Sequence, residues 1–326
     1  MTDFFSVLSA ALGPERVRAD APLAPLTTFK VGGPADVLAE PRTAEQVALA
    51  LQLAHRHGVP VTMLGGGSNV VIADAGLRGL VIRPRGGTIG PIGRDLVRAD
   101  APVTINGLVR WTITHGYAGL EAWAGTPGTV GGALHGNAHW KGANIGEFVE
   151  SVRLARPDGT LLQAAADRME FGYDRSRLQW TWEIVLWVAF RLEPGHQPDA
   201  LRATARASLA YRKQTQPLDT PSAGCIFQNP QKGQDQVPEG IPWSAGALVD
   251  RAGLKGQALG GARVSPTHGN FIVNDGGATA AQIRALVETC RARVRDAFGV
   301  ALRDEIVFLG DFGAADRGPS DAPPSR

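Results

Sequence analysis

Three consecutive glycines, Gly65-Gly66-Gly67, stand between two short apolar runs and constrain this chain more than any other stretch. Val59, Val61, Met63 and Leu64 lead in; Val70, Val71 and Ile72 lead out after Ser68 and Asn69. The β-branched residues on both flanks predict strand, glycine turn, strand. Glycines let backbone N–H groups converge into an anion nest, for which a diphosphate is the usual guest. The spacing is not G-x-G-x-x-G and no helix-period pattern follows, which argues against a Rossmann turn. A long glycine-rich hairpin turn without a ligand accounts for the same residues. The stretch alone leaves both readings open.

The surroundings favour a ligand. Thr43 with Gln46 forms a capping-box signature before Val47, Leu51 and Ala54 at helical spacing, so β-α-β order runs across residues 36–72. A further strand at Leu80–Arg83 completes a small α/β unit, residues 1–85. A second glycine system lies about 60 residues on: a helix over Thr104–His115 runs into Gly119–Ala133, where Gly125, Pro127, Gly128, Gly131 and Gly132 flank the hydroxyls of Thr126 and Thr129. Two such systems suggest one elongated ligand gripped at several points. Pro157-Asp158-Gly159 is a hairpin turn, and Ile184–Phe190 reads as a strand covered on both faces. Pro194–Pro198 is the linker candidate, followed by a helix through Gln214. Residues 86–197 thus form a second domain and 198–310 a third, with helices at Ser244–Ala252 and Ala278–Phe298. Residues 311–326, rich in Gly, Pro, Ser and Asp, read as a disordered tail.

Totals exclude several function classes. A net charge of +2 without a Lys/Arg block does not advertise nucleic acid. Arg291, Arg293, Arg295 and Arg303 read as the solvated side of a helix. No apolar run reaches the ~20 residues that cross a bilayer, and Asp3 stands where a signal peptide carries basic residues. Two cysteines make no disulfide framework, so a reducing cytoplasm is expected. Cys290 falls in an apolar helical stripe; Cys225 lies in a Gly/Ser-rich turn with little packing reason to be there. His135 and His139 lack the Glu of H-E-x-x-H and the intervening Gly-Asn breaks helices, so no metal site is expected.

Seven segments in order then resemble one family, the UDP-N-acetylenolpyruvoylglucosamine reductases (MurB). They are Thr28–Gly33, Leu64–Asn69, Pro127–Gly132, Ser222–Pro230, Ala252–Gly256, His268–Asn274 and Glu305, spanning roughly residues 20–310. The compact second type of the family is the nearer match, because only 50 residues separate Arg175 from Cys225. The resemblance implies an α+β protein of three domains. A two-part FAD-binding module of the p-cresol methylhydroxylase-like type precedes a C-terminal UDP-sugar domain. It implies a cytoplasmic, monomeric flavoenzyme of peptidoglycan precursor synthesis, with non-covalent FAD, NADPH as co-substrate and a UDP-sugar substrate. Hydride reaches C3 of the enolpyruvyl ether and C2 is protonated. Alternatives are another flavin oxidase or dehydrogenase of that N-terminal fold, or a flavin-binding protein with impaired chemistry.

The resemblance also implies roles. Gly65, Gly66, Gly67, Ser68 and Asn69 take the FAD diphosphate, and Thr126, Pro127, Gly128 and Thr129 line the flavin. Tyr211, Arg212, Lys213, Asn229, Lys255, His268 and Asn270 are expected to contact substrate, and residues 231–243 to form a flap. Glu305 is expected to be catalytic. Cys225 replaces the family's usual serine as the C2 proton donor, and a thiol near ~8.5 is the stronger acid. The family's Tyr-Arg-x-Ser here reads Tyr173-Asp174-Arg175-Ser176, with Asp at the Arg position. Unit charges 4 Å apart interact by about 4 kcal/mol at an effective dielectric of 20, so reversing the sign swings the barrier by roughly 8 kcal/mol. A one-residue slip that lets Arg175 supply the cation is the expectation, with Arg177 in reserve.

Overall fold

A computed structural model of the protein describes residues 1–313. Contacts divide these into two compact units. The first comprises residues 1–21, 35–66 and 78–211; the second comprises 22–34, 67–77 and 212 onward. The division falls inside the glycine triplet, between Gly66 and Gly67, and again inside the helix Pro198–Thr215.

The first unit has two apolar cores. A four-stranded sheet runs in the order Val17–Pro22, Pro34–Ala39, Leu77–Ile82, Val61–Met63, the last two strands parallel. Phe4, Leu8 and Leu12 of the helix Thr2–Leu12 share one core with Val47, Leu51 and Ala54 of the helix Ala44–Arg56, as their spacing requires. Thr43 Oγ accepts from the Gln46 N–H at 3.2 Å, but Gln46 Oε1 takes the Arg42 N–H rather than that of Thr43. An antiparallel five-stranded sheet follows, in the order Leu161–Ala165, Val149–Ala155, Ile184–Arg191, Leu96–Asp100, Ile89–Pro91. Its middle strand is buried on both faces, as expected. Register slips between Arg153 and Leu154, which skips Leu186 on the opposing strand. That bulge sends Ile184 and Leu186 into the first core and Val185, Val188 and Phe190 into the second.

The second unit is built on the helix Ala280–Phe298. Its apolar stripe (Ile283, Leu286, Val287, Cys290, Val294) packs with Phe29, Val71, Phe227, Leu248, Val264 and Ile272. Thr279 and Gln282 close a full capping box at its start. The helix Ala245–Arg251 is capped by Ser244, and Ala258–Leu259, Ala262–Val264 and Ile272–Asn274 form an antiparallel sheet.

The strand after the glycines, Val70–Ile72, pairs in parallel with Val307–Leu309, while Val61–Met63 pairs with Leu77–Ile82. The two runs flanking the triplet therefore belong to different sheets, which removes the hairpin reading. Two expectations need correcting. Arg291 does not lie on a solvated face: its side chain is 14% exposed and pairs with Glu288 and Asp304. Phe312 packs edge-on against Phe308, ring centroids 5.3 Å apart, so residue 312, read as part of the tail, still belongs to the packed unit; residues 314–326 lie outside those described. Among the described residues no helix is long and apolar enough to cross a membrane.

Candidate functional site

In the first unit the chain leaves the strand Val61–Met63, anchors Leu64 N–H on the Ile82 carbonyl at 2.9 Å and enters Gly65-Gly66. These two glycines lie against the loop that precedes the helix Val130–His135. A Cβ on Gly65 would stand 2.6 Å from Thr129 Oγ, and one on Gly66 would stand 2.7 Å from Gly128 Cα. At Gly66, bare backbone lies against bare backbone; at Gly65 the close neighbour is the Thr129 hydroxyl. The facing loop is fixed from below by the Ile105 N–H on the Gly128 carbonyl (3.1 Å) and the Val130 N–H on the Val103 carbonyl (2.8 Å). Asn106 completes the support: its Oδ1 accepts the Gly125 N–H at 2.7 Å and its Nδ2 donates to the Thr126 carbonyl at 3.3 Å. Nothing in its spacing marks Asn106, which looks like an ordinary first-turn helix residue. The arrangement is a cradle that only side-chain-free backbone can form, and it suits close approach of a nucleotide cofactor.

Gly67, Ser68 and Asn69 belong to the second unit. Gly67 has φ +63°, its carbonyl accepts the Thr28 N–H at 2.9 Å, and a Cβ would meet the Leu26 carbonyl oxygen at 2.3 Å. The Thr28–Gly33 segment thus packs on the triplet's end. Asn69 Nδ2 donates to the Glu305 carbonyl at 3.0 Å, and its own carbonyl accepts the Val307 N–H.

Cys225 and Glu305 come together in this unit through backbone pairing. Phe227 bridges Asp304 in antiparallel sense, and the Glu305 N–H donates to the Ile226 carbonyl at 2.8 Å. On the other edge Asn270, 3% exposed, accepts the Phe227 N–H at Oδ1 (2.9 Å) and donates from Nδ2 to the Phe227 carbonyl (2.7 Å). Gly224, at φ +80°, makes the turn that presents the half-buried Cys225. Burial pulls the Arg212 guanidinium down to about 10, against a smaller upward pull from the Cys225 thiolate. Arg212 is therefore a buried cation within electrostatic reach of the thiol. Behind the pairing, Arg291 bridges Glu288 and Asp304 and donates from Nε to the Leu302 carbonyl.

The remaining expected contacts are dispersed. Asn229 Oδ1 accepts the Ala245 N–H at 3.0 Å, and Lys255 pairs with Asp250 at 2.7 Å. His268 is pulled below its ordinary value, chiefly by burial and then by Lys255, and its Nδ1 stands 3.1 Å from the Asn270 nitrogen. Lys213 is exposed. Tyr211, in the first unit, lies edge-on to Trp140 at 6.0 Å and under Lys141 at 4.4 Å. The expected flap is tied down at Asp235, which pairs with Arg303 at 2.6 Å.

The Tyr173-Asp174-Arg175-Ser176 motif lies in the first unit. It closes a tight turn, Gly172 N–H to the Arg175 carbonyl at 3.0 Å, with Asp174 at φ +49°. The Arg175 guanidinium is 59% exposed, 3.6 Å from Glu170 and over the Trp180 ring. Arg177 is held in a forked pair by Glu183. The Asp174 carboxylate instead meets His139 Nδ1 at 3.0 Å.

Comparison with known proteins decides the family. A family model described as an FAD binding domain matches residues 35–165. A second, the C-terminal domain of UDP-N-acetylenolpyruvoylglucosamine reductase, matches residues 216–309. The protein of that name from Synechococcus sp. (strain WH7803) is 42% identical over 296 residues, covering 89% of this chain and 92% of the relative. The chain belongs to the UDP-N-acetylenolpyruvoylglucosamine reductase family. A relative of the same name from Bacillus velezensis is 37% identical over 297 residues, covering 90% of this chain and 94% of its own length. The crystal structure of the MurB reductase from Thermus caldophilus superposes with a TM-score of 0.75 at 32% identity, covering 90% of this chain and 99% of that one. The chain is thus an α+β flavoenzyme with an FAD-binding domain, and the match over 216–309 gives it the domain that the oxidase alternative lacks.

Proposed function

We propose that this protein reduces UDP-N-acetylglucosamine enolpyruvate to UDP-N-acetylmuramate with NADPH, as a cytoplasmic monomer serving peptidoglycan precursor synthesis. Gly65, Gly66, Thr126, Gly128 and Thr129 hold non-covalent FAD, a role that fits the close packing of Gly65 and Gly66 on Thr129 and Gly128, where an added Cβ would come within 2.7 Å of its neighbour. When bound, FAD carries two electrons between NADPH and C3 of the enolpyruvyl group. The other half of the addition is a proton to C2. Hydride at C3 leaves the electron pair on C2 as an enolate conjugated with the substrate carboxylate; the Cys225 thiol supplies the proton and becomes a thiolate, which solvent reprotonates. Arg212, buried within electrostatic reach of that sulfur, stabilises the thiolate as it forms. Glu305 is positioned with the thiol because its own N–H is bonded to the Ile226 carbonyl, one residue from Cys225.

The observation that supports this reading is that pairing, in which the Glu305 N–H meets the carbonyl of Ile226, the residue after Cys225, at 2.8 Å. Stopped-flow absorbance tests it. In Cys225→Ala, NADPH should bleach the flavin at the parental rate while reoxidation by the enolpyruvyl sugar nucleotide falls at least a hundredfold, the scale of a lost general acid at ~10²–10⁴. Survival of both half-reactions would refute the assignment, and a parent that NADPH bleaches but the substrate never reoxidises would be a flavin-binding protein with impaired chemistry.

A further inference from the structure

Five arginines spread over the first 85 residues, Arg16, Arg18, Arg42, Arg83 and Arg85, are gathered by the fold of the first unit. The Glu40 N–H donates to the Arg16 carbonyl at 2.8 Å, the Arg83 N–H to the Ala39 carbonyl at 2.8 Å and the Arg85 N–H to the Pro41 carbonyl at 2.9 Å. Three chain segments therefore lie side by side at the ends of the strands Pro34–Ala39 and Leu77–Ile82. They border a cavity of about 260 Å³ lined by Glu15, Arg16, Glu40, Arg42 and Arg85. Only two carboxylates serve the five guanidinium groups in this cluster. Glu40 is shared by Arg18 at 3.1 Å, Arg83 at 3.0 Å and Arg85 at 3.7 Å. Glu15, its side chain 64% exposed, stands 3.3 Å from Arg16. Arg42 pairs with no carboxylate among the described residues. It also stands two residues before the helix Ala44–Arg56, whose N-terminal end adds partial positive charge. The buried Nε atoms of Arg16 and Arg83 have no hydrogen-bond partner.

We propose that this cavity binds the diphosphate group of a small anion. Like charges drawn to one concave surface repel, and an anion relieves the excess that two carboxylates leave against five guanidinium groups. Guanidinium forks pair with phosphate oxygens through two parallel hydrogen bonds, a geometry that a lysine cannot offer. The volume limits the size of the guest. Sites that enclose a whole drug-sized ligand run to about 300–1,000 Å³, so this one takes the phosphate groups and leaves whatever bears them outside. Arg42 and Arg85 are the ligands: both are exposed, and the 3.7 Å contact of Arg85 is the longest that Glu40 makes. Arg16 and Arg83 form the wall, since Arg16 Nη1 donates to the Leu12 carbonyl at 2.6 Å and Arg83 Nη1 to Glu40 at 3.0 Å. The site lies wholly within the first unit, shares no residue with the glycine cradle, and stands or falls independently of the reductase reading.

The test is calorimetric titration of the FAD-loaded protein with sodium pyrophosphate at constant ionic strength. The parent should show a site that Arg42→Gln with Arg85→Gln weakens at least tenfold, the scale of losing hydrogen bonds to a charged group. Glu15→Gln should tighten the same site by about two- to fivefold, because it removes the exposed carboxylate that competes for Arg16. A cluster that merely holds the fold together would not bind an anion better after losing one of its own. Inorganic phosphate should bind at least threefold more weakly than pyrophosphate. Adenosine diphosphate separates the two sources of the group: weakening by the same double variant identifies an esterified diphosphate, and indifference to it a free one. The absence of any pyrophosphate site that the double variant weakens would overturn the proposal. So would equal affinity for phosphate and pyrophosphate, or an unchanged site in Glu15→Gln. If the double variant loses its FAD, the Glu15→Gln result decides alone.

Discussion

Gly66→Ala is the sharpest perturbation of the cradle, because it adds one methyl group and changes nothing else. Gly66 does not need a left-handed backbone, so conformational strain is not at issue. The new Cβ would lie 2.7 Å from Gly128 Cα and 3.2 Å from its carbonyl carbon. Carbon atoms settle about 3.5–4.0 Å apart, so the two loops must part by roughly 1 Å. Neither neighbour is a side chain that can rotate away, and the Gly128 carbonyl is held by the Ile105 N–H at 3.1 Å. Overpacking of this kind costs about 1–3 kcal/mol, which corresponds to about five- to hundredfold in FAD affinity if the loops close only around the cofactor. Gly90→Ala is the control, since a Cβ there meets nothing within 4 Å and the backbone is not left-handed. Apoprotein of both variants would be titrated with FAD by quenching of flavin fluorescence, with thermal melts before and after. A Gly66→Ala protein that binds FAD within about twofold of its parent would refute the cradle reading, whatever its melting temperature.

Other outcomes follow from the same geometry. Asn106→Ala frees the Gly125 N–H and the Thr126 carbonyl and should weaken FAD binding by about tenfold while costing about 1 kcal/mol in urea stability. Arg291→Met strands the Asp304 carboxylate, whose side chain is 6% exposed, and should cost about 3–5 kcal/mol; adding Asp304→Asn should return part of it in the same urea melts. Burial raises the Cys290 thiol from an ordinary 9.0 to about 12. The unfolded chain therefore loses this proton first, so the stabilisation is complete below pH 9 and disappears as pH rises to about 12. Unfolding free energy should drop by about 1.4 kcal/mol per pH unit in that window, a slope absent from Cys290→Ala; an identical slope in both would disprove it.

Part of the cradle was legible in its glycines: at Gly66 a methyl group would collide with the Gly128 backbone, at Gly65 it would meet the Thr129 hydroxyl, and Gly128 has a left-handed φ of +102°. Cys225 stood out as a thiol in a Gly/Ser-rich turn, and it is half-buried beside the left-handed Gly224. What local pattern could not decide was the pairing of the strands around the triplet. Val70–Ile72 reads equally well as half of a hairpin until Val307–Leu309 is known to lie beside it. Asn106 was missed for the same reason. Its bonds to the Gly125 N–H and the Thr126 carbonyl depend on the fold bringing that loop near, and its spacing does not advertise them. Arg291 was misread because helical periodicity separates apolar from polar faces, and cannot show that a polar face is closed over by Glu288 and Asp304. What motif spacing does not show at Arg175 is its surroundings: it follows a left-handed Asp174 and its guanidinium lies over the Trp180 ring.

The parallel pairing of Val70–Ile72 with Val307–Leu309 has a consequence for biosynthesis. Asn69 waits for Glu305 across 236 residues, so at about 5–20 residues per second the early strand leaves the ribosome roughly 10–50 s before its neighbour exists. Phe29, Val31 and Val71 remain uncovered through that interval. A fragment beginning at residue 212 would lack all three, and truncation before residue 307 would leave the emerged strand as an open edge. The late strand, not the early one, completes the core of the second unit, and chaperone dependence should persist until Val307–Leu309 has emerged.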